Sequence, residues 1–290
     1  MFVVSGASGQ VGRAAAMSLV GAGHRVRALV IDEKEQAEWD ALGQQSAVVD
    51  FNNADTLLRP LEGAEGVFLM LPPNYQAQAG YAQARSMLTG FVQALQLARP
   101  EKVVALSSIG AHRTSNLGLI EQSYIFEQVF KDNQVPACFL RPAWFMQNVA
   151  WQLPHAASSG KLESYLTPLD RKIPMTSAVD VGLKIAQLLV SNINAGILEI
   201  EGPSRYSPRD VAAVVANALG RPVSAVEIQR SEWRSRFIHE GTKDPAERIA
   251  MLDGFNSGWI DFEGGEIPHE IMSAAIENVV ASAVQRIGLL

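Results

Sequence analysis

Three glycines near the amino terminus have the types and spacing that could bind a phosphate-containing ligand. Gly6, Gly9 and Gly12 fall in SGASGQVG, directly after the apolar run FVV and directly before a segment of helical composition. In such a turn the first glycine allows a tight bend, the second leaves room for a pyrophosphate, and the third allows the helix to pack closely on the strand. The free N–H groups of the helix start attract negative charge. The spacing therefore predicts dinucleotide binding, and a tight turn without a ligand is the alternative.

An acidic residue follows at the distance expected for a ribose contact. Asp32 ends the second apolar run, 20 residues after Gly12. Its carboxylate would accept hydrogen bonds from the ribose of NAD and repel the 2′-phosphate of NADP, unless Arg13, Arg27 or Lys34 countered that repulsion. Capping of the next helix is the alternative role of Asp32. Asp50, at the end of the third apolar run, is predicted to hold the adenine amino group or to lie in a turn.

Alternating strands and helices must position these residues. The helical segments include Arg13 to Val20, Tyr81 to Ala98 and Gln122 to Lys131. The strands between the helical segments are predicted as FVV, HRVRALVI, SAVVDF, GVFLMLPP, KVVALSS and ACFLRP. Strands that are apolar throughout and separated by helices are typical of a parallel sheet covered on both faces. The predicted fold class is therefore α/β, a doubly wound parallel sheet, with ligands beyond the carboxyl ends of its strands.

The pattern changes beyond Trp144, where aromatic residues and prolines become irregularly spaced. We predict a dinucleotide-binding domain over residues 1–150 and a smaller α+β, substrate-binding region over residues 151–290. Within it, AVDVGLKIAQLLV is predicted to be a helix and GILEIEG a strand. We expect this part, about residues 175–201, to pack back on the first domain.

Composition excludes several classes of function. The chain has 290 residues, a net charge of -6 and 48% hydrophobic residues, with no basic cluster of the kind that binds nucleic acid. Cys138 is the single cysteine, which rules out an internal disulfide or a thiolate metal site and fits a reducing cytoplasm. His112 and His155 are predicted to be loop residues without metal-ligand spacing, so we expect no metal. We also expect no secretion signal, no membrane span of about 18 apolar residues, and a cytoplasmic monomer or homodimer.

Taken together, five motifs resemble the NmrA-like group of atypical short-chain dehydrogenases. They are GASGQVG, VVDFNN, VFLMLPP, LSSIGA and LRPAWFMQN, and the likeness continues through IPMTSAVDVG, GILEIEGP and ALGRPV. The resemblance implies a Rossmann fold with a small C-terminal region that closes over the cofactor. It implies one of two activities. One is NAD(P)H-dependent reduction, as in quinone and triphenylmethane dye reductases. The other is redox sensing without catalysis, as in transcriptional regulators.

The resemblance also assigns residues to the site. Trp144 and Asn148 are expected to contact substrate. The expected cofactor-binding positions, including the glycines and acidic residues above, are Gly6, Ser8, Gly9, Gln10, Val11, Gly12, Asp32, Asp50, Leu71, Pro72, Pro73, Ser107, Pro142 and Phe145. Relatives often place an arginine for the 2′-phosphate where this chain has Ile31. NADP is therefore expected from the resemblance, whereas Asp32 and Ile31 favour NAD.

The helix SYIFEQVF departs from the usual catalytic pattern. Typical short-chain dehydrogenases place a tyrosine and a lysine one helical turn apart, so that the phenol can protonate an alkoxide. The matching positions here are Ser123 and Glu127, while Tyr124 is followed four residues later by Gln128. The candidate catalytic residues are Tyr124, Ser108 and Glu127, and helix packing is the alternative role of Tyr124.

The missing lysine bears on the acceptor. A reduced ketone is a strongly basic alkoxide that needs a proton donor, whereas a quinone, an iminium dye or a conjugated enone yields a delocalised, weakly basic product. Positioning and an apolar pocket then suffice. We expect hydride transfer to a small, flat, hydrophobic electrophile such as a quinone. The alternative is a catalytically weak redox sensor that binds a protein partner through a surface such as Glu232 to His269.

Overall fold

The apolar runs of the sequence form short strands. The computed structural model describes residues 1–193 and 195–289, so Asn194 and Leu290 of the predicted second region lie outside the described residues. The strands are β1 (Phe2–Val4), β2 (Val26–Val30), β3 (Gln45–Val48), β4 (Gly66–Leu69), β5 (Lys102–Leu106), β6 (Cys138–Pro142), β7 (Trp144–Phe145), β8 (Lys161–Ser164), β9 (Ile173–Thr176), β10 (Gly196–Glu201), β11 (Arg205–Tyr206), β12 (Ser224–Glu227) and β13 (His269–Ile271).

Helices separate most of these strands. They are α1 (Gln10–Gly21), α2 (Glu33–Ala41), α3 (Asp55–Leu61), α4 (Ala82–Ala98), α5 (Glu121–Asp132), α6 (Leu153–Ser159), α7 (Ala178–Val190), α8 (Pro208–Leu219), α9 (Trp233–His239), α10 (Ala246–Ser257) and α11 (Ile276–Arg286). Two 3-10 segments, Gly118–Ile120 and Met146–Gln152, precede α5 and α6. Across the described residues, no helix combines the length and the apolar character that a bilayer crossing requires.

A parallel sheet of eight strands organises the fold. Its order is β13-β10-β6-β5-β4-β1-β2-β3, and every neighbouring pair is parallel. The order reverses between β1 and β4, and this switch point is where doubly wound sheets bind ligands. The predicted Rossmann-type doubly wound fold class is confirmed.

Apolar residues fill both faces of the sheet because successive residues of a strand point to opposite sides. Val3 joins the cluster under α3, α4 and α5, whereas Val4 joins the cluster under α1 and α7. A third cluster lies among the elements of the second half. There, β11-β9-β7 and β12-β8 form two small sheets.

Elements from the second half complete the main sheet. β10 pairs with β6, with Glu199 opposite Arg141, and β13 pairs with β10. α7 crosses α1 at Gly182, where a Cβ atom would lie 2.5 Å from the Cβ of Ala14 and from the carbonyl oxygen of Val11. Only glycine allows the helix backbones to approach this closely. The boundary at residue 150 stays a prediction.

Candidate functional site

The glycine turn between β1 and α1 has the conformation that its spacing predicts. Gly6 adopts a φ of +61°, and a Cβ atom there would lie 2.6 Å from the Sδ of Met70. The N–H of Gly9 donates to the carbonyl oxygen of Gly6 at 2.9 Å, which closes the turn. At Gly12, a Cβ atom would collide with the carbonyl of Gly6 and lie 2.6 Å from that of Ser5. The first and third glycines therefore let α1 begin directly against the end of β1.

The start of α1 is open to a ligand. Ser8, Gly9 and Gln10 are exposed, and Val11 packs beneath them in the core. The first turn of α1 contains no acidic residue, so its N–H groups and partial positive charge are not neutralised by the helix itself. A Cβ atom at Gly9 would lie 3.3 Å from the carbonyl oxygen of Gly6 and would crowd the turn. These residues fit the diphosphate of a dinucleotide.

Of the two roles that the sequence left open for Asp32, the structure shows the helix cap, and the ribose contact stays a prediction. Asp32 lies at the end of β2 and caps α2, because one of its carboxylate oxygens accepts from the N–H of Glu35 at 2.8 Å. The carboxylate of Glu35 accepts in turn from the N–H of Ile31 at 3.2 Å, which brings a second negative charge to this strand end. Ile31 itself is 63% exposed. Capping uses one oxygen of Asp32 and leaves the other to contact a ribose.

Asp50 has the bonds of a turn residue. Its carboxylate accepts from the backbone N–H of Asn52 at 2.9 Å and from the side chain of Asn52 at 3.1 Å. The N–H of Asp50 donates to the hydroxyl of Thr56 at 3.0 Å. The turn role is present, and the contact with adenine stays a prediction.

Leu71, Pro72 and Pro73 follow β4 and line a cavity of about 210 Å³. The other wall of this cavity comes from α4 and from Gln122 at the start of α5. The cofactor stretch predicted after β4 thus borders an opening in the protein.

Near the end of β6, a buried ion pair joins Arg141 to Glu127, the residue at the position that matches the usual lysine. Arg141 is 2% exposed and donates to both oxygens of Glu127, at 2.8 and 2.6 Å. The hydroxyl of Ser107 donates to the same carboxylate at 2.5 Å. Burial opposes the charge of Arg141, but its bonds to Glu127 and Glu263 outweigh burial and raise its pKa. Glu127, a candidate catalytic residue, is held on both oxygens and buried.

Arg141 also joins a group of residues that are distant in sequence. Its guanidinium donates to Glu263 at 2.5 Å and lies 3.6 Å from the carboxylate of Glu199. Glu199 accepts from the backbone N–H groups of Glu263 at 2.9 Å and Gly264 at 3.3 Å. The loop after α10 is therefore fixed against the sheet by buried charge.

His112 lies beside these carboxylates, which the sequence spacing did not indicate. Ligand atoms of His112, Glu199 and Glu263 lie within 4.8 Å of one another. Arg141 already supplies positive charge to both carboxylates, which disfavours a cation there. Burial lowers the pKa of the His112 imidazole, and its Nδ1 is buried without a hydrogen-bond partner within residues 1–193 and 195–289. His155, predicted in a loop, is an exposed residue of α6.

The remaining candidates lie at the same edge of the sheet. Ser108 follows β5, and Tyr124 lies in α5, where it packs against two core clusters; both are half-buried. Trp144 is half-buried, and its ring meets that of Phe255 edge-on at 5.0 Å. The other candidates after β6 differ in exposure: Phe145 is half-buried, Pro142 is buried and Asn148 is exposed. Their contacts with cofactor or substrate stay predictions.

A second buried bond, near the cavity, was not predicted from the sequence. Tyr81 caps the start of α4 with a φ of +50°. Its hydroxyl oxygen lies 2.7 Å from the carbonyl oxygen of Gly118 and 2.5 Å from the carboxylate of Glu247, to which its single hydrogen is donated. Burial and the bond to Glu247 raise the pKa of Tyr81. This bond ties the start of α4 to α10.

Comparison with known proteins places this arrangement in a family. The sequence model of the NmrA-like family matches residues 1–243. The chain belongs to the NmrA-like family. The resemblance drawn from the motifs is thereby confirmed.

Curated relatives of this NmrA-like protein include two named reductases. The NAD(P)H azoreductase of Xenophilus azovorans is 27% identical over 242 residues, which cover 83% of this chain and 82% of the relative. Quinone oxidoreductase 2 of Escherichia coli is 23% identical over 260 residues, which cover 87% of each protein.

Solved structures share the fold over nearly the whole NmrA-like chain. The NADPH-dependent quinone oxidoreductase of Escherichia coli in complex with NADPH gives a TM-score of 0.79 at 18% identity, covering 97% of this chain and 99% of that one. Triphenylmethane reductase of Citrobacter sp. gives a TM-score of 0.80 at 16% identity, covering 98% and 99%.

Proposed function

We propose that this NmrA-like protein is an NAD(P)H-dependent reductase of small, flat, hydrophobic acceptors such as quinones. The observation that carries the proposal is the exposed, glycine-rich start of α1 at the switch point of the sheet. The names of the azoreductase and quinone oxidoreductase relatives support the same class of reaction. The membership of the family supports a nicotinamide cofactor.

The residues of this chain bind and orient the reactants. The cofactor supplies a hydride, two electrons with one hydrogen, and the quinone takes that hydride and one proton from water to become a hydroquinone. Gly9 and Gln10 would hold the diphosphate at the start of α1. Leu71 to Pro73 would contact the cofactor after β4. Ser108 and Tyr124, both half-buried, would relay the proton from water through their hydroxyls.

Glu127 acts as a positioning residue in this proposal. Its carboxylate joins α5 to Arg141 of β6 and to Ser107 after β5. These bonds hold the ends of β5 and β6, which Ser108 and Trp144 follow. Such positioning is sufficient for a quinone acceptor, because forming the reduced quinone needs no strongly activated acid.

We further propose that NADH is preferred over NADPH. Asp32 and Glu35 place two carboxylates at the end of β2, where a 2′-phosphate would be repelled. Ile31 offers no compensating charge at the position where relatives often have arginine.

Absorbance of NADH and NADPH at 340 nm, followed in stopped flow with neutral quinones, tests the proposal. Oxidation of NADH on mixing with a quinone supports it. Tight cofactor binding without turnover of any quinone, dye or enone contradicts it.

A redox sensor is the second candidate, favoured by the absence of the tyrosine and lysine pair in α5. A sensor binds the oxidised and reduced cofactors with affinities that differ by about 1–3 kcal/mol and shows no turnover. Titrating the same protein with NAD and NADH distinguishes the two functions.

A further inference from the structure

The cavity of about 210 Å³ beside β4 is lined by uncharged residues. It lies between the loop after β4, the first turns of α4 and the start of α5. We call it the amide cavity, because Asn74, Gln83 and Gln122 contribute the polar groups of its wall. Pro72, Pro73 and Met87 contribute apolar surface, and every lining residue is uncharged. This composition suits a neutral, largely apolar ligand.

The carboxamides are held in different ways, which leaves a different group of each for a ligand. Asn74 accepts from the N–H of Gln76 at 2.9 Å and donates to the oxygen of Gln83 at 3.0 Å. Gln83 therefore keeps its NH₂ group as a donor. Gln122 donates to the carbonyl of Leu119 at 3.3 Å and keeps its oxygen as an acceptor. The amide cavity thus presents N–H donors, among them those of Gln83, and the acceptor oxygen of Gln122 beside apolar side chains.

The mouth of the amide cavity is fastened to the second half of the chain. The side chain of Gln76 donates to the carbonyl of Gly241 at 2.9 Å and accepts from the N–H of Lys243 at 2.9 Å. Tyr81 bonds to Glu247 a few residues further on. These bonds to the second half of the chain hold the loop after β4, so Asn74 and Gln83 are held in position before a ligand binds.

A donor and an acceptor together match a group that changes its own hydrogen bonding during reaction. A quinone carbonyl only accepts, whereas the hydroquinone hydroxyl that replaces it also donates. Gln83 can donate to the quinone carbonyl, and Gln122 can accept from the hydroquinone hydroxyl. A positively charged wall would instead favour an anionic acceptor such as a sulfonated dye.

We propose that the amide cavity is the acceptor subsite and takes a neutral one- or two-ring quinone, with Gln83 donating to it and Gln122 accepting from its reduced form. This inference rests on the proposed reductase function and adds the place where the acceptor binds and the residues that contact it. The balanced step is the one given above: the quinone gains a hydride from NAD(P)H and a proton from water.

Binding in the presence of NAD tests this subsite independently of turnover. The probes are 1,4-naphthoquinone and 1,4-naphthoquinone-2-sulfonate, titrated by calorimetry into full-length protein saturated with NAD. The neutral quinone is expected to bind more tightly than the sulfonate. In Gln83→Leu the Kd for 1,4-naphthoquinone is expected to rise about fivefold, the loss of one hydrogen bond. The Kd for NAD is expected to stay unchanged.

Gln122→Leu separates the substrate from the product. Its affinity for 1,4-naphthohydroquinone is expected to fall about fivefold, with a smaller effect on the quinone. Gln93→Leu is the matched control, because Gln93 is an exposed glutamine of α4 outside the cavity lining.

The outcomes separate this inference from the proposed function. Turnover of 1,4-naphthoquinone with unchanged affinities in both variants overturns the subsite and leaves the reductase intact. Binding that the variants weaken, without turnover in the wild type, supports the subsite and contradicts the reductase. Equal binding of the sulfonate and the neutral quinone overturns the inference.

Discussion

Arg141 and Glu127 form a bidentate ion pair beneath the ends of β5 and β6, with N–O distances of 2.8 and 2.6 Å. Both side chains are buried, and the pair connects α5 to the sheet. Glu199 and Glu263 extend the connection to β10 and the loop after α10. One guanidinium thereby joins elements from both halves of the chain.

Replacing Arg141 is expected to destabilise the protein strongly. Arg141→Met leaves Glu127 and Glu199 as buried charges without their partner, which costs about 3–5 kcal/mol of unfolding free energy. Arg230→Met is the matched control, because Arg230 pairs with Asp253 in the same bidentate manner on the exposed surface. The control should cost about 0–1 kcal/mol. Urea denaturation measures both, and equal losses would contradict the structural role of the buried pair.

Stability is expected to fall as the pH drops below the ordinary histidine pKa. Burial lowers the pKa of His112 in the folded protein from its ordinary value of 6.5, against the partial opposition of Glu263. Below pH 6.5 the unfolded chain therefore binds a proton that the folded chain resists, and unfolding is favoured. His112→Asn should lose less stability than wild type between pH 7.5 and 5.5, as measured by urea denaturation. His155→Asn, at an exposed site, should follow the wild type; if His112→Asn does so too, the assignment is wrong.

Cofactor preference is expected to reverse with the charge at the end of β2. Asp32→Ser removes a carboxylate but retains a side chain that caps α2, so folding should be preserved. Combined with Ile31→Arg, it should improve NADPH binding relative to NADH by about 1–3 kcal/mol. Cofactor fluorescence measures both Kd values. Ile271→Arg adds the same charge at another exposed isoleucine and should leave the ratio unchanged; an unchanged ratio in the double variant would refute the proposed role of Asp32.

A methyl group at Gly12 is expected to disturb the turn, whereas one at Gly21 is not. Gly12→Ala forces α1 away from the carbonyls of Ser5 and Gly6, an overpacking cost on the order of 1–3 kcal/mol. NADH binding should weaken with it. In Gly21→Ala, at the other end of α1, the added Cβ meets no atom of the described residues within 4 Å. Thermal unfolding and NADH titration compare the two; normal NADH affinity in Gly12→Ala would remove the turn from the cofactor site.

The central sheet could be predicted from the sequence because its signals are local. Most of the first six strands are apolar runs beside a helical segment, and the glycine turn is defined by residues within seven positions. β13 could not be predicted, because His269–Ile271 is a short, exposed and largely polar strand that only its pairing with β10 defines.

The polar parts of the site were harder to predict. Arg141, Glu199 and Glu263 have the composition of surface residues, and their burial depends on contacts between distant segments. Gln83 and Gln122 likewise resemble solvated helix residues until the cavity between α4 and α5 is seen. Glu127 was selected from a family pattern, and no feature of SYIFEQVF indicated that Arg141 would engage it.

The crossing of α7 over α1 at Gly182 affects how the protein can be divided. The first helix carries the glycine turn on one end and is braced along its flank by a helix encoded more than 150 residues later. A fragment that stops before α7 would expose Val11 and Ala15 to water. Expressing the amino-terminal half alone is therefore a poor way to obtain an isolated nucleotide-binding module. A circular permutant that keeps both helices is a better starting point.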